Sequence, residues 1–163
     1  MNTIIIIACI LALCYKRTVL TRDDKPYLIR HTLLTTPLFT IKIHKVLISD
    51  SADMHDHPWN YCSIILWGGY YEERRKYNRT LARWYIVRKW YKPGSILFRN
   101  GEIPHRLILK SRFDIASTRV INKYPPYTIK QPSISLIFTT MKYRNWGIYK
   151  SDGFHIHTEG LHY

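Results

Sequence analysis

The sequence predicts an all-β fold with few or no helices, on three observations. Short runs of β-branched and aromatic residues recur along the chain, clusters of Pro, Gly, Asn and Asp separate them, and no long stretch keeps the apolar period of a helix. The 163 residues, 46% apolar and 22% charged, suffice for one core and lie outside the disordered and collagenous classes. Twenty-five Lys and Arg against eleven Asp and Glu give +14 at pH 7. That charge favours an anionic partner: nucleic acid, a phosphorylated small molecule or an anionic membrane surface.

Residues 28–34, 39–48, 61–72, 83–91, 95–99, 105–110 and 133–140 carry the runs. Phe39, Ile41 and Ile43 alternate with Thr40, Lys42 and His44, the period of a strand with one buried face, so His44 points opposite the isoleucines. Lys92-Pro93-Gly94 and Arg99-Asn100-Gly101-Glu102 read as turns, and the stretch 123–132, with three prolines, as a loop. Residues 73–83 read as a solvated connection. No internal repeat is visible, so residues 18–163 form a single domain preceded by an apolar segment, 1–17.

That segment holds an uninterrupted run of eleven apolar residues, Ile4 to Cys14. It is short of the ~20 that a spanning helix needs, and its positive charges follow the run rather than precede it as in a secretory signal. A first strand, a membrane anchor through residues 4–14 and a cleaved signal are the three readings; four consecutive isoleucines favour the strand. Three cysteines with no framework spacing exclude a disulfide-stapled module and a cysteine zinc finger. A reducing compartment fits, the cytoplasm or, for a phage- or virus-encoded chain, that of the host cell.

The strongest chemical signal lies in the histidines. His55 and His57 flank Asp56, and strand alternation puts the two imidazoles on one face, about 7 Å apart at their Cα atoms. His105 opens a later strand after a Gly-Glu-Ile-Pro turn, where a sheet closing on itself brings it opposite the pair. Three neutral imidazoles with open coordination positions suit Fe(II), Zn, Ni or Cu at a catalytic site. His44, on a neighbouring strand, is a further candidate, either supporting a ligand or acting as a fourth one. Phe154-His155-Ile156-His157 is a competing His-x-His in a polar tail.

The spacing around these residues resembles the cupin superfamily. His55-Asp56-His57 followed by Gly68-Gly69 matches the first cupin motif, and Gly94, eleven residues before His105, matches the length of the second. Asn100 and Glu102 replace the Pro and Gly of that second motif, with Asn100-Gly101 able to make the turn at positive φ. A narrower resemblance, over residues 25–160, is to small single-domain cupins of bacteria and phages: Pro26-Tyr27-Leu28-Ile29-Arg30, His55-Asp56-His57-Pro58-Trp59, Gly68-Gly69-Tyr70, Pro104-His105-Arg106 and Trp146-Gly147. The resemblance implies a jelly roll, the double-stranded β-helix, with one divalent transition metal on His55, His57 and His105. It implies no settled reaction.

One departure bears on the chemistry. The glutamate of the first motif falls at position 61 or 62, occupied here by Tyr61 and Cys62. Cysteine dioxygenases are cupins that also lack this glutamate and carry a cysteine at the corresponding place, which raises a thiol-dioxygenase analogy. Strand parity with His57 argues that Cys62 faces away from the metal. Asp53, Glu72 and Glu102 are the carboxylates that remain to complete a ligand set.

The resulting expectation is an Fe(II)-dependent, dioxygenase-like cupin acting on a small anionic substrate, with Arg99 or Arg106 neutralising it. A cupin isomerase or hydrolase, with Zn, Ni or Cu in place of iron, is the alternative enzyme. A non-catalytic small-molecule or nucleic-acid binding module is the alternative of another class, the latter because residues 72–92 interleave eight Lys or Arg with aromatics. There Arg74, Arg75, Arg79, Trp84 and Trp90 suit weak, non-specific nucleic-acid binding. A homodimer is compatible with either.

Overall fold

The computed structural model describes residues 15–111 and 130–157. Twelve strands follow one another: β1 (Lys16–Arg22), β2 (Lys25–Thr35), β3 (Phe39–Val46), β4 (Met54–His55), β5 (Tyr61–Trp67), β6 (Tyr70–Asn78), β7 (Arg83–Tyr91), β8 (Ile96–Arg99), β9 (His105–Ile108), β10 (Ser133–Thr140), β11 (Gly147–Lys150) and β12 (Gly153–Ile156). No helix occurs among the described residues, and none of them forms an apolar helix long enough to cross a membrane. The strands build two six-stranded antiparallel sheets, ordered β1-β2-β3-β10-β5-β8 and β12-β11-β4-β9-β6-β7. This is the jelly roll that the motifs imply.

The expected strands 83–91 and 133–140 match β7 and β10 end to end. The expected strand 61–72 is corrected to two, because Gly68 and Gly69 take φ of +80° and +87° and turn the chain from β5 into β6. The connection expected over 73–83 is likewise mostly strand, since β6 runs to Asn78 and pairs with β7. Three further elements carried too little periodicity to be read: β1, joined to β2 through Asp23 and Asp24 at positive φ; the two-residue β4; and the β11–β12 hairpin in the segment read as a polar tail. Lys16 and Arg17, expected in the apolar segment, pair with Thr32 and His31. The run 4–14 and most of the expected loop 123–132 lie outside the described residues.

The register decides what faces inward. In the first sheet Arg30 pairs with His44 and Thr32 with Lys42, while on β10 Ser135 opposes His44 and Ile137 opposes Lys42. Opposed residues share a face. That face is the inner one: Lys42, Val46, Ser133, Ser135, Ile137, Ser63, Ile65 and Leu97 are buried. The expected burial of the Ile41–Ile43 face is therefore reversed. These isoleucines lie on the outer face of the sheet, together with Ile64, Leu136 and the 77% exposed Phe98. Leu28, Val46, Ile65, Tyr70, Tyr91, Leu97 and Leu109 form the apolar core between the sheets. Polar inward-facing residues fill the remainder of the interior.

Candidate metal centre

β4 and β9 are adjacent in the second sheet, with His55 directly opposite His105. His57 follows β4 on a segment held by its own backbone, its N–H donating to the Gly101 carbonyl at 2.8 Å. A Cβ on Gly101 would stand 2.4 Å from Trp59 O and 2.7 Å from His57 O, so only glycine lets the two motif segments meet this closely. The turn is made without positive φ at Asn100 or Gly101, contrary to expectation. Asn60 and Asn100 side chains accept the N–H groups of Gly101 and Glu102 instead, each at 2.9 Å.

The three imidazoles form a nearly equilateral triangle, with centroid separations of 5.1 Å for His55–His57, 4.9 Å for His55–His105 and 5.0 Å for His57–His105. One ligand atom from each lies within 4.8 Å of the others. Burial, reinforced by the neighbouring imidazoles, holds His57 well below its ordinary pKa and brings His105 down to about 3. Both rings are therefore neutral, the form that binds metal. His105 Nδ1 lies 3.2 Å from the Ile103 carbonyl, which can only accept, so the proton sits on Nδ1 and the Nε2 lone pair faces the centre.

Asp56 holds the pair of histidines from behind. It is fully buried, and its carboxylate accepts the Gly147 N–H at 2.7 Å, Arg144 Nη1 at 2.7 Å and the Tyr149 hydroxyl at 3.2 Å. Pinning Asp56 to β11 leaves His55 and His57 on the opposite side of the chain, facing the centre. Sequence reasoning treated Asp56 as a spacer. The signal for its role was available in its position between two ligands, but its partners lie about ninety residues on.

Tyr61 occupies the place of the missing glutamate. Its hydroxyl lies 3.3 Å from His105 Nε2, and burial raises its pKa well above the phenol's ordinary value, so it stays neutral. Cys62, the next residue, takes the outer face between Phe98 and Phe138. Asp53, Glu72 and Glu102 are not in the histidine group, which has no carboxylate among the described residues. Asp50 lies beside the centre, its Oδ2 4.0 Å from His55 Nδ1 and accepting the Leu107 N–H at 2.6 Å.

The remaining nominated residues are placed as follows. His44 stands outside the triad, its Nε2 accepting Arg30 Nε at 3.2 Å. Arg99 faces inward but makes a two-point contact with buried Glu72, at 2.9 and 2.7 Å, and donates to the Tyr91 hydroxyl. Arg106 is corrected as a residue of the centre: adjacent to His105 on β9, it falls on the other face and closes on Glu73 and the Ala52 carbonyl. His155 pairs with Asp152 at 2.8 Å, and His157 stacks on Trp146 at 4.1 Å, so neither joins the centre. In the β6–β7 hairpin Arg75, Arg79 and the 66% exposed Trp84 face solvent, whereas Arg74 turns to Glu72 at 3.4 Å and Trp90 packs at a tilt against Tyr71, with centroids 4.8 Å apart.

Lys42 and Trp59 complete the surroundings. The Lys42 ammonium lies 4.3 Å from the centroid of Trp59, whose ring is nearly parallel to His57 at 6.5 Å. Burial, with Arg30 nearby, pushes the Lys42 pKa down to about 8, so the ammonium remains mostly charged at pH 7.

Solved structures share this architecture. A cupin-2 domain from Rhodospirillum rubrum aligns over 85% of this chain and 78% of its own, with a TM-score of 0.55 at 8% identity. The chain has the cupin fold. The Streptomyces albus enzyme HEPD, solved with 2-hydroxyethylphosphonate and Fe(II) bound, aligns over 78% of this chain and 24% of its own, with a TM-score of 0.50 at 16% identity. Hydroxypropylphosphonic acid epoxidase from S. wedmorenis aligns over 77% of this chain with a TM-score of 0.46 at 15% identity, and the chain spans 56% of that protein's length. No protein-family model and no curated protein matches the sequence.

Proposed function

We propose that this cupin is a metal-dependent oxygenase acting on a small anionic substrate, with one Fe(II) held by His55, His57 and His105. The observation that carries this reading is the triangle of three imidazoles, whose ligand atoms lie within 4.8 Å of one another. Three nitrogen donors suit a divalent transition metal and leave coordination positions for substrate. The Fe(II) and phosphonate bound by HEPD, a protein of the same fold, favour iron and an anionic ligand here.

Bound iron would supply Lewis acidity and redox chemistry toward dioxygen. The protein's own part is orientation and charge. Ile103 fixes the tautomer of His105, Asp56 holds His55 and His57 in place, and Tyr61 offers a neutral hydroxyl where a carboxylate would add negative charge. With no carboxylate among the ligands, the metal keeps its full positive charge toward an incoming anion.

The test is metal analysis of protein purified without added metal, followed by dioxygen-uptake measurements after iron loading. About one iron per chain with substrate-dependent uptake supports the reading. Zinc or nickel without uptake turns it toward a hydrolase or isomerase, and failure to take up any divalent metal refutes it.

A second reading rests on the exposed end of the β6–β7 hairpin, where Arg75, Lys76, Arg79 and Arg83 surround Tyr77 and Trp84, whose rings pack at 5.2 Å. Cations beside exposed rings suit single-stranded nucleic acid. Titration of a single-stranded oligonucleotide at low and physiological salt decides it: binding that vanishes at physiological salt leaves only a non-specific charge effect.

A further inference from the structure

Two cations on the inner face have no carboxylate to neutralise them among the described residues. Lys42 is 8% exposed and its ammonium lies over the Trp59 ring, while Arg30 donates to the neutral His44. Among the described residues no Asp or Glu oxygen lies within 4.0 Å of either. Five other arginines have carboxylate partners: Arg74 and Arg99 pair with Glu72, Arg88 and Arg106 with Glu73, and Arg144 with Asp56. A buried ammonium without a counter-charge is costly to the fold. The metal centre does not offset it, since its histidine group includes no carboxylate among the described residues and a divalent metal adds positive charge.

We propose that Lys42 and Arg30 form the binding site for the charged head of a small oxyanion, a carboxylate, phosphate or phosphonate group, beside the three-histidine centre. The assignment rests on the functional reading above and gives its substrate a class and a seat. Arg30 and Lys42 are diagonal neighbours on one face of β2 and β3, two residues apart in register, and the Arg30 charge acts on Lys42, a spacing that suits an oxyanion placed between them. The guanidinium offers paired donors and the ammonium a point charge, a combination suited to an anionic group with several oxygens. Trp59 lies between the two sites, its ring 4.3 Å from the Lys42 ammonium and 6.5 Å from the nearly parallel His57 ring, which sets the anion's head one indole ring from a metal ligand. Arg99 and Arg106 are excluded from this task because Glu72 and Glu73 already neutralise them.

Inorganic phosphate is the probe, read by the thermal midpoint and by calorimetric titration of the metal-free protein. Phosphate should raise the Tm of the unaltered chain. Lys42→Met should melt higher than the unaltered chain without phosphate, because an uncompensated buried charge is gone. It should also bind phosphate at least about tenfold more weakly. Arg30→Gln should lose the same affinity, whereas an Arg75→Gln, Arg79→Gln double variant of the exposed hairpin should keep it. A phosphate response that survives Lys42→Met, or disappears in the hairpin variant, overturns the site. If Lys42→Met does not fold, Arg30→Gln and the phosphorus line width of phosphate on cobalt(II)-loaded protein decide the matter: broadening supports the site and an unbroadened line sinks it.

Metal uptake measured on the same proteins separates the two readings. A chain that takes up metal but shows no Lys42-dependent phosphate response refutes this site alone. One that binds phosphate through Lys42 but no metal refutes the oxygenase reading and leaves the anion site standing.

Discussion

The Tyr61 hydroxyl lies 3.3 Å from His105 Nε2 and, because the proton of that imidazole is on Nδ1, the phenol is the donor. In the metal-free protein Tyr61 therefore occupies the lone pair that a metal must use. Removing a hydrogen bond of this kind is worth about 0.5–1.5 kcal/mol. Tyr61→Phe should accordingly tighten metal binding about two- to tenfold in a competition titration against a chelator. Weakened uptake in that variant would show that the hydroxyl assists the metal instead.

The triad itself makes a sharper prediction. His55→Ala, His57→Ala and His105→Ala should each abolish stoichiometric metal uptake while retaining a β-rich circular dichroism spectrum, since an open catalytic-type site contributes less to folding than a closed structural one. Full-affinity binding by His105→Ala would falsify the ligand assignment.

Asp56 acts on the metal only through its neighbours. Asp56→Asn keeps the size but removes the charge facing Arg144, and an amide group matches the three donors around it poorly. Metal affinity should fall about 10- to 100-fold, as when partners behind metal ligands are lost elsewhere. Urea unfolding should show a destabilisation of about 3 kcal/mol. An unchanged affinity in a destabilised variant would mean that Asp56 serves the fold alone.

Acid should weaken the metal-free protein. His44, His57 and His105 have folded pKa values below the ordinary 6.5, so below 6.5 the unfolded chain binds protons that the folded chain does not. Stability is then fully present above pH 6.5 and lost progressively as pH falls toward about 3, where His105 also titrates in the folded state. His105 alone should account for about 2 kcal/mol of loss at pH 5. Urea midpoints at pH 7.5, 6 and 5 check this, and a midpoint that rises on acidification contradicts it.

Arg99 is expected to matter for stability rather than for anion binding. Arg99→Gln strands the buried Glu72 carboxylate with only Arg74 at 3.4 Å, and a loss of about 3–5 kcal/mol should follow in equilibrium unfolding. Phosphate affinity measured under folded conditions should not change. A selective loss of phosphate binding would return Arg99 to the role that its place in the sequence suggested.

The motif spacing singled out the three histidines and the resemblance it carries implied the jelly roll, while strand alternation and turns rich in Gly and Pro marked the all-β class, because these are local properties that a chain carries wherever it goes. The β7 and β10 runs were legible for the same reason. β1, β4, β11 and β12 were not, since each is short or weakly apolar and exists through a partner distant in sequence, as Met54 and His55 do through Tyr149 and Ile148. Alternation also placed His44 opposite Ile41 and Ile43 but carried no information about which face would be inward. Only the closure of the two sheets decided that. It turned the isoleucines outward, buried Lys42 beside Trp59, sent Arg106 to the far side of His105, and gave Arg99 and Arg106 their glutamates. Whether a cation is neutralised or left to meet a ligand depends on charges brought close by the fold, and strand pairing rather than sequence neighbourhood sets those distances.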